Sequence, residues 1–184
     1  MATSQNGWPV LAADSPLLHT WTIPARTGVA KIRLRNGSAG YVLAHFLLWL
    51  AETIEPLAGK VLDDWGYAYR PIRGQSSGYS NHASGTAADA NATRHVLGRT
   101  GTFAYKVKIK GKSLTAAARI RSRLVFYGGV IRWGGDYHGR KDEMHFEIVK
   151  PLAVTEKLAR RLMKTPRGKR LLAANPGQKA VILS

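Results

Sequence analysis

Between Val29 and Arg35 the chain alternates, with Ala30, Ile32 and Leu34 on one side and Lys31, Arg33 and Arg35 on the other. That period of two predicts a half-buried strand with a basic outer face. Asn36-Gly37-Ser38 reads as a turn with a helix cap, and Ala39 to Ile54 as a mostly apolar helix stopped near Pro56. An element so apolar belongs in the core, which makes His45 a core or helix-edge residue. Trp65 to Arg70 alternates aromatic with small residues and predicts a strand running into the turn Pro71-Ile72-Arg73-Gly74. Leu97 to Lys112 is glycine-punctuated and basic, with a strand expected over Tyr105 to Lys110. Ser113 is expected to cap a helix from Leu114 to about Tyr127, ended by Gly128-Gly129. Val130–Trp133 and His145–Val149 predict two antiparallel strands joined by a loop from Gly134 to Met144. Thr155 and Glu156 open a basic helix to about Lys164, and the chain beyond Pro166 is basic and weakly patterned. The first 28 residues, with Trp8, Pro9, Trp21 and Pro24, read as an irregular or short-stranded lead-in.

Short strands with helices beside them predict an α+β fold, a small central antiparallel sheet with helices packed on it. A length of 184 residues and a 45% apolar content suffice for one sizeable core. The expectation is therefore a single domain over residues 1–184. Its core would span about 29–150, with a basic helical extension over about 154–184.

Charge changes the picture. Lysine and arginine number 28 against 11 acids, a formal net charge of +17. Such an excess draws anionic partners over long range, and does so less as salt rises. Nucleic acid and the phosphate and carboxylate polymers of a bacterial wall fit equally well on charge alone. Trp65, Tyr67 and Tyr69 read as strand residues rather than an exposed stacking platform, which argues against a specific nucleic-acid partner. The N-terminal residues lack the positive region and apolar core of a signal peptide, so residence in the cytoplasm where the chain is made is expected. The longest apolar run, Tyr41 to Leu50, is too short for a membrane span.

Cysteine is absent, so any metal site must be built from histidine and carboxylate. In Ser80-Asn81-His82-Ala83-Ser84-Gly85-Thr86-Ala87-Ala88-Asp89, an imidazole and a carboxylate stand seven residues apart, and those between are almost all small. Catalytic zinc takes three protein ligands at about 2.0–2.2 Å and leaves a fourth position for water. Gly85 and the alanines would let the backbone pass close to such an ion twice. The third ligand is sought in Asp142-Glu143-Met144-His145-Phe146-Glu147, part of a stretch holding four of the eleven acids, Asp136 included. His145 completes a His82/Asp89/His145 set for one zinc ion, and Asp142 suits a general base three residues before it. Glu147 is expected to orient an imidazole, and Ser80 to brace the motif loop. A polar-loop His–Asp hydrogen bond is the plain alternative. No oxyanion hole is visible for a Ser-His-Asp triad.

At these residues the chain resembles the zinc metallopeptidases that include D-alanyl-D-alanine carboxypeptidases, vancomycin-resistance D,D-dipeptidases and phage L-alanyl-D-glutamate peptidases. That family's Ser-x-His-x-x-Gly-x-Ala-x-Asp is matched by Ser80, His82, Gly85, Ala87 and Asp89. Its later acid-x-x-His-Phe-Glu run is matched by Asp142, His145, Phe146 and Glu147. The resemblance covers roughly Trp65 to Ile148 and is closest to endolysins of phages that infect actinobacteria. Phage members often carry Asp-Pro-Met-His where this chain has Asp-Glu-Met-His, so Glu143 competes with Asp142, which the spacing favours.

The resemblance implies a Hedgehog/DD-peptidase-like fold with the zinc cleft on the sheet. It also implies a substrate-binding arginine just upstream of the motif, at Arg70 or Arg73. The expected activity is hydrolysis of the peptidoglycan stem peptide by a monomeric phage-type endolysin. Such an enzyme is held in the host cytoplasm and acts on the wall after release. The L-alanyl-D-glutamate bond is favoured over D-alanyl-D-alanine carboxypeptidase action. A basic module that binds wall or nucleic acid without catalysis is the alternative from another class. His95 and His138 are expected at the surface and His19 in a structural place, with Trp133, Asp136 and Tyr137 as a cleft wall.

Overall fold

The computed structural model describes residues 2–57, 63–72, 74 and 77–184. The alternating stretch forms strand β2 (Gly28–Arg35), paired antiparallel with β1 (Leu18–Ala25) in register from Leu18↔Arg35 to Ala25↔Gly28. Trp21 and Ile23 of β1 and Ile32 and Leu34 of β2 are fully buried. The lead-in thus contains a full eight-residue strand rather than irregular chain. Pro24, which obscured it, sits beside the hairpin turn, where a missing donor matters least.

The apolar helix is α1 (Gly37–Thr53), buried from Gly37 to Ala51. Asn36 makes no side-chain cap. Gly37 instead donates its N–H to Gln178 Oε1 at 3.0 Å, from 141 residues away in the chain.

The central sheet has the order β3-β7-β6, from Ala87–Asp89, His145–Ile148 and Ile131–Trp133, all antiparallel. Alternation puts Phe146 and Ile148 on its core face, with Phe146 against Phe46 of α1 at 4.7 Å between centroids. His145 and Glu147 then share the opposite face, and Asp89 is the cross-strand partner of His145. The sheet is small, but it places the chemistry.

Several expected boundaries move. Trp65–Arg70 is not a strand. Trp65 forms an isolated bridge with Asp89, Tyr67 donates its N–H to Arg33 O, and Ala68 donates to His82 O. The segment is pinned to two neighbours in turn and joins no single ladder. Strand β4 (Lys106–Ile109) pairs with β5 (Lys112–Thr115), so Ser113 and Leu114 lie in a hairpin. Helix α2 (Ala116–Phe126) starts after them, with Thr115 Oγ1 accepting the Ala118 N–H at 3.2 Å.

Helix α3 (Leu152–Leu162) begins directly after Pro151, and two more helices follow, α4 (Pro166–Ala173) and α5 (Gln178–Leu183). Leu158, Leu162, Leu171 and Ile182 from these three helices join the same buried cluster as α1. No helix among the described residues is long and apolar enough to cross a membrane.

Candidate metal centre

The motif folds as a cap, a turn and a strand. Ser80 Oγ accepts the His82 N–H at 3.4 Å and opens a 3-10 turn, Asn81–Ser84. Gly85 closes that turn at φ +68°, a left-handed conformation that costs glycine little. A Cβ there would lie 2.6 Å from Arg35 N. The close pass of β2 therefore requires glycine here. Strand β3 then carries Asp89 to its place opposite His145.

Three ligand atoms converge. His145 Nδ1 is 2.9 Å from Asp89 Oδ1 and 3.1 Å from His82 Nε2, and His82 Nε2 is 3.3 Å from Asp89 Oδ1. Donors about 2.0–2.1 Å from a tetrahedral zinc stand roughly 3.3 Å apart, so this triangle is close to one face of such a site. All three residues are buried.

The outer nitrogens are held as metal ligands need them. His82 Nδ1 is 2.5 Å from Gly66 O, and because a carbonyl only accepts, the proton sits on Nδ1 and leaves the Nε2 lone pair facing the cluster. His145 Nε2 faces Glu147 Oε2 at 3.3 Å in the same manner. Trp65 stacks on His82, with 4.6 Å between ring centroids and 13° between planes.

Charge is concentrated among these groups. Burial alone would raise the Asp89 carboxyl, but His82 and His145 hold it well below the usual carboxylate range. Burial lowers the His145 imidazole, yet hydrogen bonds to Asp89 and Glu147 outweigh it and raise the group to about 10. Glu147 is raised by burial and brought down to about 2 by His145, Tyr137 and Arg132. These contacts favour the protonated imidazole, so a metal ion taking His145 as a ligand would have to displace a proton.

The cluster opens into a cavity of about 300 Å³ whose lining includes Asp142, Arg70, Ser80, Tyr137 and Arg140. Asp142 Oδ1 is buried and makes no hydrogen bond among the described residues. Burial raises the Asp142 pKa, and His145, His82 and Arg70 offset only part of that. Gly134 makes its position possible, because a Cβ there would fall 2.2 Å from Asp142 O. Glu143 faces away from this cavity. Its oxygens accept the N–H groups of Gly101 and Thr102, both at 2.8 Å, and Trp133 Nε1 donates to its carbonyl at 2.7 Å. The neighbouring acid is thus an anchor for the loop that carries Asp142.

Arg70 lines the cavity with its guanidinium 5.3 Å from the Trp65 ring centroid. Arg73 lies outside the described residues. The expected cleft wall divides. Tyr137 lines the cleft, Trp133 is buried in the core, and Asp136 pairs with exposed Arg121 at 2.8 Å. His95 is not at the surface as expected. It is buried, stacked on Phe103 at 3.8 Å and bonded through Nε2 to Glu55 at 2.7 Å. His138 is exposed, and His19 packs edge-on against Trp21. His45 is buried, with Nδ1 2.7 Å from the Tyr127 hydroxyl.

The pattern gave no warning of Gly66, whose contribution is a backbone carbonyl. Nor did it show that Asn81 Nδ2 and Arg132 both donate to Glu147. The one available signal for Asn81 was its place between Ser80 and His82.

A buried His/Asp/His cluster at the floor of a cleft, beside an acid whose Oδ1 has no hydrogen bond among the described residues, defines a candidate metal centre equipped for hydrolysis. Residues 73–148 match a family model described as D-alanyl-D-alanine carboxypeptidase, and that stretch contains His82, Asp89, Asp142, His145 and Glu147. The match covers less than half of the chain and supports a peptidase of that family. No curated protein and no solved structure matches the chain.

Proposed function

We propose that this protein is a zinc-dependent peptidase that hydrolyses a peptide bond in the stem peptide of peptidoglycan, with the action of a phage-type endolysin. The observation that carries this is the triangle of His82 Nε2, Asp89 Oδ1 and His145 Nδ1 at the cleft floor, with Asp142 beside it. Two imidazoles and one carboxylate, with no thiolate in the chain, suit zinc in a site that leaves a position open. A bound zinc ion supplies Lewis acidity, acidifying water towards neutrality and polarising the scissile carbonyl.

The chain's own groups do the rest. Asp142 Oδ1, with no hydrogen bond to break, accepts the proton of the attacking water and returns it to the leaving amine. Glu147 and the Gly66 carbonyl keep the two imidazoles turned inwards. Arg70 and Arg140 offer guanidinium forks to the free carboxylates in which stem peptides abound.

Cleavage between L-alanine and D-glutamate is the preferred specificity, supported by the likeness of the motif's surroundings to phage enzymes. D-alanyl-D-alanine carboxypeptidase action is the second, supported by the description of the matching family. As an endolysin the protein would await release in the host cytoplasm, and its +17 charge would favour anionic wall polymers.

Elemental analysis of the wild type and of His82→Ala, alongside digestion of purified peptidoglycan, tests all of this. One zinc per chain, lost with activity in the variant, is the expected outcome. New D-Glu amino termini would mark the first specificity and free D-alanine the second. A wild type that takes up no zinc overturns the proposal and leaves a basic binding module.

A further inference from the structure

A second cavity, of about 730 Å³, shares no lining residue with the metal cleft. Five cations border it from four places in the fold. Arg26 comes from the β1–β2 turn, Lys110 from the β4–β5 turn, Arg123 from α2, and Arg167 and Arg170 from α4. Glu52 is the one acid among them. It is already bonded by Arg167, at 3.2 Å, and by Arg170.

Three observations show that this positive charge is left unbalanced. Arg26 and Lys110 are exposed, and no ion pair joins either to another described residue. Arg123 and Arg170 each keep a buried Nε–H without an acceptor among the described residues. His45, also in the lining, is held neutral. Burial, then Arg123 and Arg167, push its pKa down to about 3. The cavity also reaches Thr165 and Pro166 at the start of α4, the positive end of that helix.

We propose that this cavity binds a phosphate ester carried on a polyol or sugar, the chemistry of phosphorylated wall polymers. A planar carboxylate is satisfied by one guanidinium fork, whereas cations converging from several directions match a tetrahedral group with more oxygens and more charge. The volume exceeds one phosphate and leaves room for what the ester carries. Single-stranded nucleic acid needs free aromatic faces for its bases. Phe126, the aromatic carbocycle in the lining, has Arg123 at 4.1 Å and Arg161 at 5.3 Å from its ring centroid.

The test is calorimetric titration of the full-length protein with glycerol 3-phosphate and, separately, with a short single-stranded oligonucleotide, at low ionic strength. The first variant is Arg26→Ser/Lys110→Asn, at two exposed turn positions, with asparagine chosen because Lys110 has φ 47°. The control is Lys157→Ser/Lys179→Ser, which removes the same charge from exposed helix positions elsewhere. Arg123→Met is a third protein, with unchanged melting temperature required as proof of folding.

Two exposed charges at the upper end of the surface-pair range should weaken glycerol phosphate binding about thirtyfold, while the control stays within about twofold of wild type. Equal weakening in variant and control would reduce the effect to overall charge and overturn the proposal. So would tighter oligonucleotide binding lost in the same variant, which would make this a nucleic-acid site. Metal content should be unchanged throughout, so the outcome does not depend on the peptidase activity.

Discussion

Glu147→Gln isolates the carboxylate behind the cluster. The wild-type side chain is buried and receives four partners. Tyr137 and Arg132 donate to Oε1, while Asn81 and His145 donate to Oε2. Glutamine keeps the shape but accepts at only one end, so two donors would face an amide N–H₂ in either orientation. The native carboxyl stands at about 2 against an ordinary 4.5. That difference of about 2.5 units corresponds to about 3 kcal/mol of folding stability.

The sign follows from the depressed value. The stabilisation is fully present above pH 4.5 and is lost as pH falls through about 2. In a chain of this size, about 3 kcal/mol lowers Tm by roughly 6–12 °C. Loss of the group that orients His145 should also weaken zinc binding about 10- to 100-fold. Thermal melts of chelator-treated protein at pH 7 and near pH 2.5, with zinc competition titrations at pH 7, provide the assay. Unchanged zinc affinity, or a Tm gap as wide near pH 2.5 as at neutrality, would refute the reasoning.

Asp142→Asn should retain zinc and lose about 10²- to 10⁴-fold in peptidoglycan hydrolysis, whereas loss of the metal would assign Asp142 to the ligand set. Gly134→Ala puts a methyl 2.2 Å from the Asp142 carbonyl and should cut kcat with zinc content intact; unchanged turnover would show that this loop position is not critical. Zinc uptake should displace the His145 proton, so calorimetry at pH 7 in buffers of different ionisation enthalpy should show about one proton released per ion. No buffer dependence would mean that the free site is not an imidazolium. Phe46→Ala removes a buried ring packed against Trp49, Tyr127 and Phe146 and should cost about 3–5 kcal/mol, measured by denaturant unfolding.

What could be read along the chain was whatever neighbours within a pleat or a helical turn control. The alternation from Ala30 to Leu34 anticipates β2, the apolar run anticipates α1, and the strands that became β6 and β7 stand where their side chains alternate. The donor set was legible for a chemical reason. With cysteine absent and acids scarce, few residues can hold a cation, and His82, Asp89 and His145 lie in stretches whose small and alternating residues suit close approach.

Other features depended on groups that meet only after folding. The α1 cap comes from Gln178, the His82 tautomer from Gly66, and the β5 hairpin overrides the local helix signal at Ser113. Which of the adjacent carboxyls Asp142 and Glu143 is tied down is of this kind, since the two look alike until Gly101 and Thr102 take hold of Glu143. The five cations around the second cavity are as inconspicuous in a chain with 28 basic residues, because no period links Arg26 to Arg170. The sequence by itself determined which residues could bind a metal and which segments must be buried, because composition and short-range periodicity carry both. Only the tertiary structure decided how those residues are oriented and which acid stands free, because that depends on contacts between residues far apart in the chain.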